Sequence, residues 1–134
     1  MNDNIVLSVR DLEVNFYNNE RCNRVLRGVS FQLQKGKIMC IVGESGCGKS
    51  VTANSIMGPL PDLSRIEKGE IHFFHNGRDI RIDQLKRKGK EMRQIRGDGI
   101  SMIFQDHMTA LNPAFTVGYQ INESLLYHAR ANTQ

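Results

Sequence analysis

The run Gly43-Glu44-Ser45-Gly46-Cys47-Gly48-Lys49-Ser50 has the G-x-x-x-x-G-K-S spacing of a phosphate-binding loop. Each residue type has a task there. Gly43, Gly46 and Gly48 let the backbone close around a polyphosphate where Cβ atoms would collide. Successive N–H groups then point inward, and the helix that follows turns its positive end toward the same anion. Lys49 reaches the β- and γ-phosphates as a point charge, and the Ser50 hydroxyl completes the shell of a Mg²⁺ ion. Cys47 occupies a variable position of the loop beside Lys49 and a helix start. That setting fits a redox-sensitive thiol or simply a small residue that the loop tolerates.

Such a loop works only if elements on both sides hold it. Upstream, Lys37-Ile38-Met39-Cys40-Ile41-Val42 is a short apolar run behind the turn signal Lys35-Gly36, and predicts a buried strand. Downstream, Ser50 to Met57 predicts a helix that Gly58-Pro59 stops. Residues 5–35 predict antiparallel strands. Ile5, Leu7 and Val9 alternate, a break falls at Arg10-Asp11, and Leu12, Val14 and Phe16 resume in the opposite phase, as across a bulge. Asn18-Asn19-Glu20 is a polar turn, and Val29, Phe31 and Leu33 then mark a half-buried strand.

Farther on, Pro59-Leu60-Pro61-Asp62 forms a rigid connector. Glu70–His75, Asn76-Gly77 and Arg78–Ile82 spell a hairpin with a strong two-residue turn. His72 and His75 fall on opposite faces of that strand, so they do not make a metal pair. Residues 83–96 predict a basic helix weakened at Gly89 and ended by Gly97-Asp98-Gly99, its cations forming a solvated face or an anion contact. Ile100–Phe104 predicts a buried strand that delivers Gln105 at its end. Thr116 caps a last helix whose Val117, Ile121 and Leu125 stripe is assigned to the core.

The bulk numbers set bounds. A chain of 134 residues, 40% hydrophobic and 24% charged, is one domain's worth of ordinary globular sequence. Its net charge of +4 suits a polyanionic nucleotide. Without Trp or an aromatic-interleaved basic stripe, nucleic acid is not an expected partner. Cys22, Cys40 and Cys47 are odd in number and lack metal-ligand spacing, which points to free thiols in a reducing compartment. No apolar run approaches the roughly 18–20 residues of a membrane span, and the N-terminus lacks a secretory pattern. The expected location is cytoplasmic, with membrane association through partners.

Several segments beyond the loop resemble the ATP-binding subunits of ABC transporters, in the importer branch that handles oligopeptides, dipeptides or nickel. They are Val51-Thr52-Ala53 with Ser55-Ile56-Met57-Gly58, Glu91-Met92-Arg93 with Ile95-Arg96-Gly97, and Met102-Ile103-Phe104-Gln105. Met108-Thr109-Ala110-Leu111-Asn112-Pro113 and Thr116-Val117-Gly118-Tyr119-Gln120-Ile121 continue the match in order. The resemblance implies an α/β fold: a P-loop NTPase core of ABC type, mostly parallel, with an antiparallel β subdomain.

It also implies ATP and Mg²⁺ as cofactors. Gly43, Ser45, Gly46, Cys47, Gly48, Lys49, Ser50 and Val51 would hold the nucleotide, with Lys49 and Gln105 in catalytic roles and Ser50 and Gln105 at the metal. Gln105 would sit where nucleotide state couples to the membrane subunits, and an amide suits this because it donates and accepts at once. Phe16 falls where the family stacks an aromatic on adenine, with Tyr17 the neighbouring candidate and plain core the alternative for Phe16. The implied partners are transmembrane permease subunits, a second ATP-binding subunit and, indirectly, an extracytoplasmic substrate-binding protein, at the inner face of the membrane.

Two departures from the family pattern stand out. Asp106-His107 follows Gln105 where this branch usually has an acidic residue and then Pro. The Ser-Gly-Gly signature, the Asp-Glu strand end and the later His do not occur in residues 1–134. The expectation is therefore the N-terminal part of a nucleotide-binding domain, incomplete toward its C-terminus and poor in hydrolysis alone. The alternatives are a non-enzymatic nucleotide-binding fragment and an unrelated small P-loop NTPase or kinase.

Overall fold

The computed structural model describes residues 4–18, 21–57, 60–104 and 111–131. They fall into two compact units, Met1–Arg93 and Gln94–Gln134. The first is built on an antiparallel sheet of β1 (Ile5–Asn18), β2 (Arg21–Gln34), β3 (Ser64–His75) and β4 (Arg78–Arg81), in the order β2-β1-β3-β4. This is the expected antiparallel subdomain. Helix α1 (Lys49–Met57) follows the loop, as the sequence requires. The expected turn at Asn18-Asn19-Glu20 and the helix stop at Gly58-Pro59 lie mostly outside the described residues.

The break at Arg10-Asp11 is a bulge. β1 pairs Val9 with Phe31 but Leu12 with Val29, and the register against β3 shifts at the same place. Asp11 takes φ +47°, and its N–H donates to Ser30 Oγ at 2.8 Å. Opposite it, Gly69 has φ +108°, and a Cβ there would stand 2.6 Å from Leu12 Cα and 2.7 Å from the carbonyl oxygens of Arg10 and Asp11. The bulge absorbs one residue of alternation. Leu7, Val9, Leu12 and Val14 therefore all stay on one face, buried with Leu26, Ile71 and Phe73. Ile56 and Met57 of α1, with Leu60, Ile82 and Met92, complete the buried apolar set of this unit.

The β3–β4 hairpin turns through Asn76 and Gly77 at φ +50° and +72°, the two positive values of a type I′ turn. His72 Nδ1 lies 2.9 and 3.0 Å from the Asp79 carboxylate, and its Nε2 lies 3.3 Å from Glu70. Arg81 joins Glu70 at 3.2 Å and forks onto Asp83 at 2.8 and 3.0 Å. Asp83 also accepts the Ile71 N–H at 2.9 Å. His75 stacks on Phe73 on the other face, so the two histidines diverge as their spacing predicts.

Four expectations are corrected. Lys37–Val42 is not a strand: it finds no ladder partner among the described residues, and Ile38 and Val42 are 94% and 91% exposed. An extended run keeps strand geometry only when a neighbour takes its N–H and C=O groups. The basic helix over 83–96 is broken into a 3₁₀ turn (Ile82–Gln84), a turn closed by Gly89 N–H on Lys86 O at 2.7 Å, and the short α2 (Lys90–Gln94). Gly89 is where it breaks.

The second unit supplies the other two. After a π-turn over Ile95–Gly99, closed by Ile100 N–H on Ile95 O at 2.8 Å, Ile100–Phe104 also lacks a strand partner among the described residues, and Ile103 is 99% exposed. Helix α3 (Val117–Ala131) begins under the expected cap, Tyr119 N–H donating to Thr116 Oγ1 at 3.3 Å. Its stripe is not core: Val117 and Ile121 are exposed, and the side chain of Leu125 lies outside the described residues. Gln120 ties the preceding loop to the helix through Asn112 N and O and Phe115 O, at 2.9–3.0 Å.

Candidate nucleotide site

The phosphate-binding loop sits against the buried face of the sheet. Gly48, at φ +100°, packs so closely that a Cβ would stand 2.7 Å from Leu26 Cδ2 and 3.5 Å from Val25 O. Gly46 holds φ +83°, and a Cβ on Gly43 would meet Cys47 Sγ at 2.6 Å. Gly46 and Gly48 are thus required by conformation, and Gly48 by close approach as well, while at Gly43 a methyl group would displace the Cys47 thiol. Leu26 is a supporting residue that sequence reasoning missed. Its only signal was its place across from Val14, which depends on the bulge.

Lys49 lies across this loop. Its Nζ donates to Gly43 O and to Glu44 O, each at 2.7 Å, and stands 3.7 Å from Cys47 Sγ. These are neutral carbonyl acceptors. An anionic phosphate oxygen makes a shorter and stronger bond to an ammonium, so it competes for the same protons. Cys47 N–H donates to Glu44 O at 3.3 Å, and Thr52 anchors the start of α1 through N–H and hydroxyl bonds to Gly48 O at 2.8 and 3.0 Å. The first N–H groups of α1 have no intrahelical acceptor and remain available to an anion. Ser45 and Ser50 are exposed, and Val51 is half-buried.

A Mg²⁺ ion fits this donor set in one specific way. Among the described residues no cluster of three or more His, Cys, Asp or Glu side chains forms a metal cage. Mg²⁺ commonly binds through one or two protein ligands, water and substrate phosphates. Ser50 at the head of α1 offers one such oxygen. Gln105, the other expected metal and catalytic residue, lies outside the described residues, as do Asp106 and His107.

The structure separates the two aromatic candidates. Phe16 continues the Leu12–Val14 phase and pairs with Asn23 and Ser64, one step along from the Val14–Leu26 pair on which Gly48 rests. Tyr17 stands on the opposite face. The Arg65 guanidinium lies 5.6 Å above its ring, and its hydroxyl donates to Glu67 at 2.5 Å. The bond to Glu67 pushes the Tyr17 phenol above its usual pKa. Phe16 alone of the two shares a face with the loop.

Loop, helix and antiparallel sheet in this arrangement are parts of a P-loop nucleotide-binding domain, and the chain belongs to the ABC transporter family, whose model matches residues 26–134. It is 52% identical over 126 residues to the dipeptide transport ATP-binding protein DppD of Bacillus subtilis (strain 168), covering 93% of this chain and 36% of that protein. Over 130 residues it is 43% identical to the oligopeptide transport ATP-binding protein OppD of the same organism, covering 96% of this chain and 35% of that relative. The glutathione import ATP-binding protein GsiA of Salmonella choleraesuis (strain SC-B67) is 41% identical over 128 residues, covering 95% of this chain and 20% of its own length. The chain therefore spans about a third or less of these relatives.

Proposed function

We propose that this chain carries the phosphate-binding part of an importer's ATP-binding subunit, coupling ATP to the uptake of peptides. The observation that carries it is the loop itself: Gly46 and Gly48 in the left-handed region, Gly48 seated on Leu26, and the Lys49 ammonium lying over the Gly43 and Glu44 carbonyls. Family membership and relatives named for dipeptide, oligopeptide and glutathione transport support peptides over nickel as cargo.

Each residue then has a task. Backbone amides at 45–50 and the head of α1 hold the phosphates, and Lys49 leaves the loop carbonyls for the β- and γ-oxygens. Mg²⁺ supplies charge neutralisation, with Ser50 as its protein ligand. Val51 follows Ser50 in the same turn. Phe16 offers a ring to adenine from the shared face, and Cys47 fills the space under Gly43. Gln105 reports nucleotide state toward permease subunits at the inner face of the membrane, where a second ATP-binding subunit closes the site and an extracytoplasmic binding protein delivers cargo. The relatives extend well beyond the matched stretch, so a subunit of that length has sequence for strands flanking Lys37–Val42 and for the hydrolytic motifs absent from residues 1–134.

Titration of the purified chain with a fluorescent ATP analogue and Mg²⁺ tests the reading. Saturable binding that is competed by ATP and lost in Lys49→Ala is expected. Equal affinity in the variant would end the assignment.

A further inference from the structure

The sheet's outer face, behind the Val14–Leu26 pair on which Gly48 rests, carries an unmatched cluster of cations. The register builds two cross-strand rows there: Arg24–Asn15–Arg65 and Arg27–Glu13–Lys68, each running over β2, β1 and β3. The four basic residues are exposed. Glu13 is taken by Lys68 at 4.0 Å. Among the described residues no carboxylate lies within ion-pair distance of Arg24, Arg27 or Arg65. Two guanidiniums, one on β2 and one on β3, thus flank a neutral Asn15 on the strand between them.

We infer that this face docks an acidic polypeptide segment of a partner protein. Neighbouring strands lie about 4.8 Å apart, and alternate residues of one strand about 6.8 Å apart. An extended segment with carboxylates at alternate positions has that same repeat, so its acids meet successive rows. Asn15 bonds the Tyr17 side chain and its amide keeps further donor and acceptor capacity, and Arg65 lies over the same Tyr17 ring. Glu13 and Glu67 stand inside the cluster. A uniformly anionic surface, such as a lipid bilayer or a nucleic-acid backbone, is repelled by them, whereas a polypeptide meets them with a donor or a cation. The inference does not depend on nucleotide binding, which uses the other face.

The test is fluorescence anisotropy of the purified chain with a fluorescein-labelled peptide alternating Glu and Ser. Binding that weakens as salt rises is expected. The pair Arg24→Glu and Arg65→Glu is expected to lose roughly tenfold or more in affinity, since a juxtaposed like charge opposes docking. Its circular dichroism and Mg-ATP affinity should stay unchanged. The neutral pair Arg24→Gln and Arg65→Gln is expected to show a smaller loss in the same direction, which keeps the outcome independent of any folding defect in the reversal. The pair Arg78→Glu and Lys88→Glu, of equal charge change elsewhere, should bind as the parent does. Unchanged affinity in the Arg24 and Arg65 variants, an equal loss in the Arg78 and Lys88 pair, or tighter Arg65-dependent binding to phosphatidylglycerol vesicles would overturn it.

Discussion

Lys49 has two acceptors within the loop and gives them up for a better one, so its removal costs binding without emptying the core. Losing hydrogen bonds to a charged group is worth about 1.5–3 kcal/mol, or about 10–100-fold in nucleotide affinity. Lys49→Ala is expected to show that loss in the titration while its melting temperature changes little. Gly48→Ala costs the fold as well. A methyl group at φ +100° and 2.7 Å from Leu26 Cδ2 strains the loop where it rests on the sheet. The expected penalty is about 1–3 kcal/mol in denaturant unfolding, together with weakened nucleotide binding. Both residues were legible because the motif fixes their types and spacing. Leu26 was not, because nothing local in Arg24-Val25-Leu26 says which glycine will lie on it.

At the scale of elements, the antiparallel strands, the Asn76-Gly77 hairpin and the Thr116 cap were readable from the chain, since each follows from alternation or from one turn residue. The helix over 83–96 was not, because its basic run concealed how fully Gly89 interrupts it. The bulge was visible as a change of phase, but its partner Gly69 was not. Gly69→Ala would drive a Cβ into backbone atoms that cannot give way, and a loss of about 3–4 kcal/mol on equilibrium unfolding is expected. The hairpin is pinned to the sheet by Asp83. Burial pushes that carboxyl up, but the Arg81 fork and the Ile71 N–H together outweigh it and hold it below the usual value. A folded-state pKa below the unfolded one adds stability above the unfolded value of about 3.9, and the gain is lost as pH falls through the folded value. The difference in unfolding free energy between the parent and Asp83→Asn should therefore be flat above about pH 5 and narrow below about pH 4.

Across the whole molecule, what escaped the sequence has one physical origin. Apolar runs announce burial without saying against what, and Lys37–Val42 and Ile100–Phe104 are strands in composition but not in the structure. Their exposed side chains form the kind of surface that drives association. Sedimentation velocity is expected to show self-association that rises with concentration and is reduced in Ile38→Lys with Val42→Lys. No change in the variant would place the contact elsewhere. The extra residue at Arg10-Asp11 has a consequence of another kind. Excise Asp11, and Leu7, Val9, Leu12, Val14 and Phe16 fall into unbroken alternation with the same inward side. What would vanish is the kink itself, and with it the backbone crowding that now forbids any side chain at position 69.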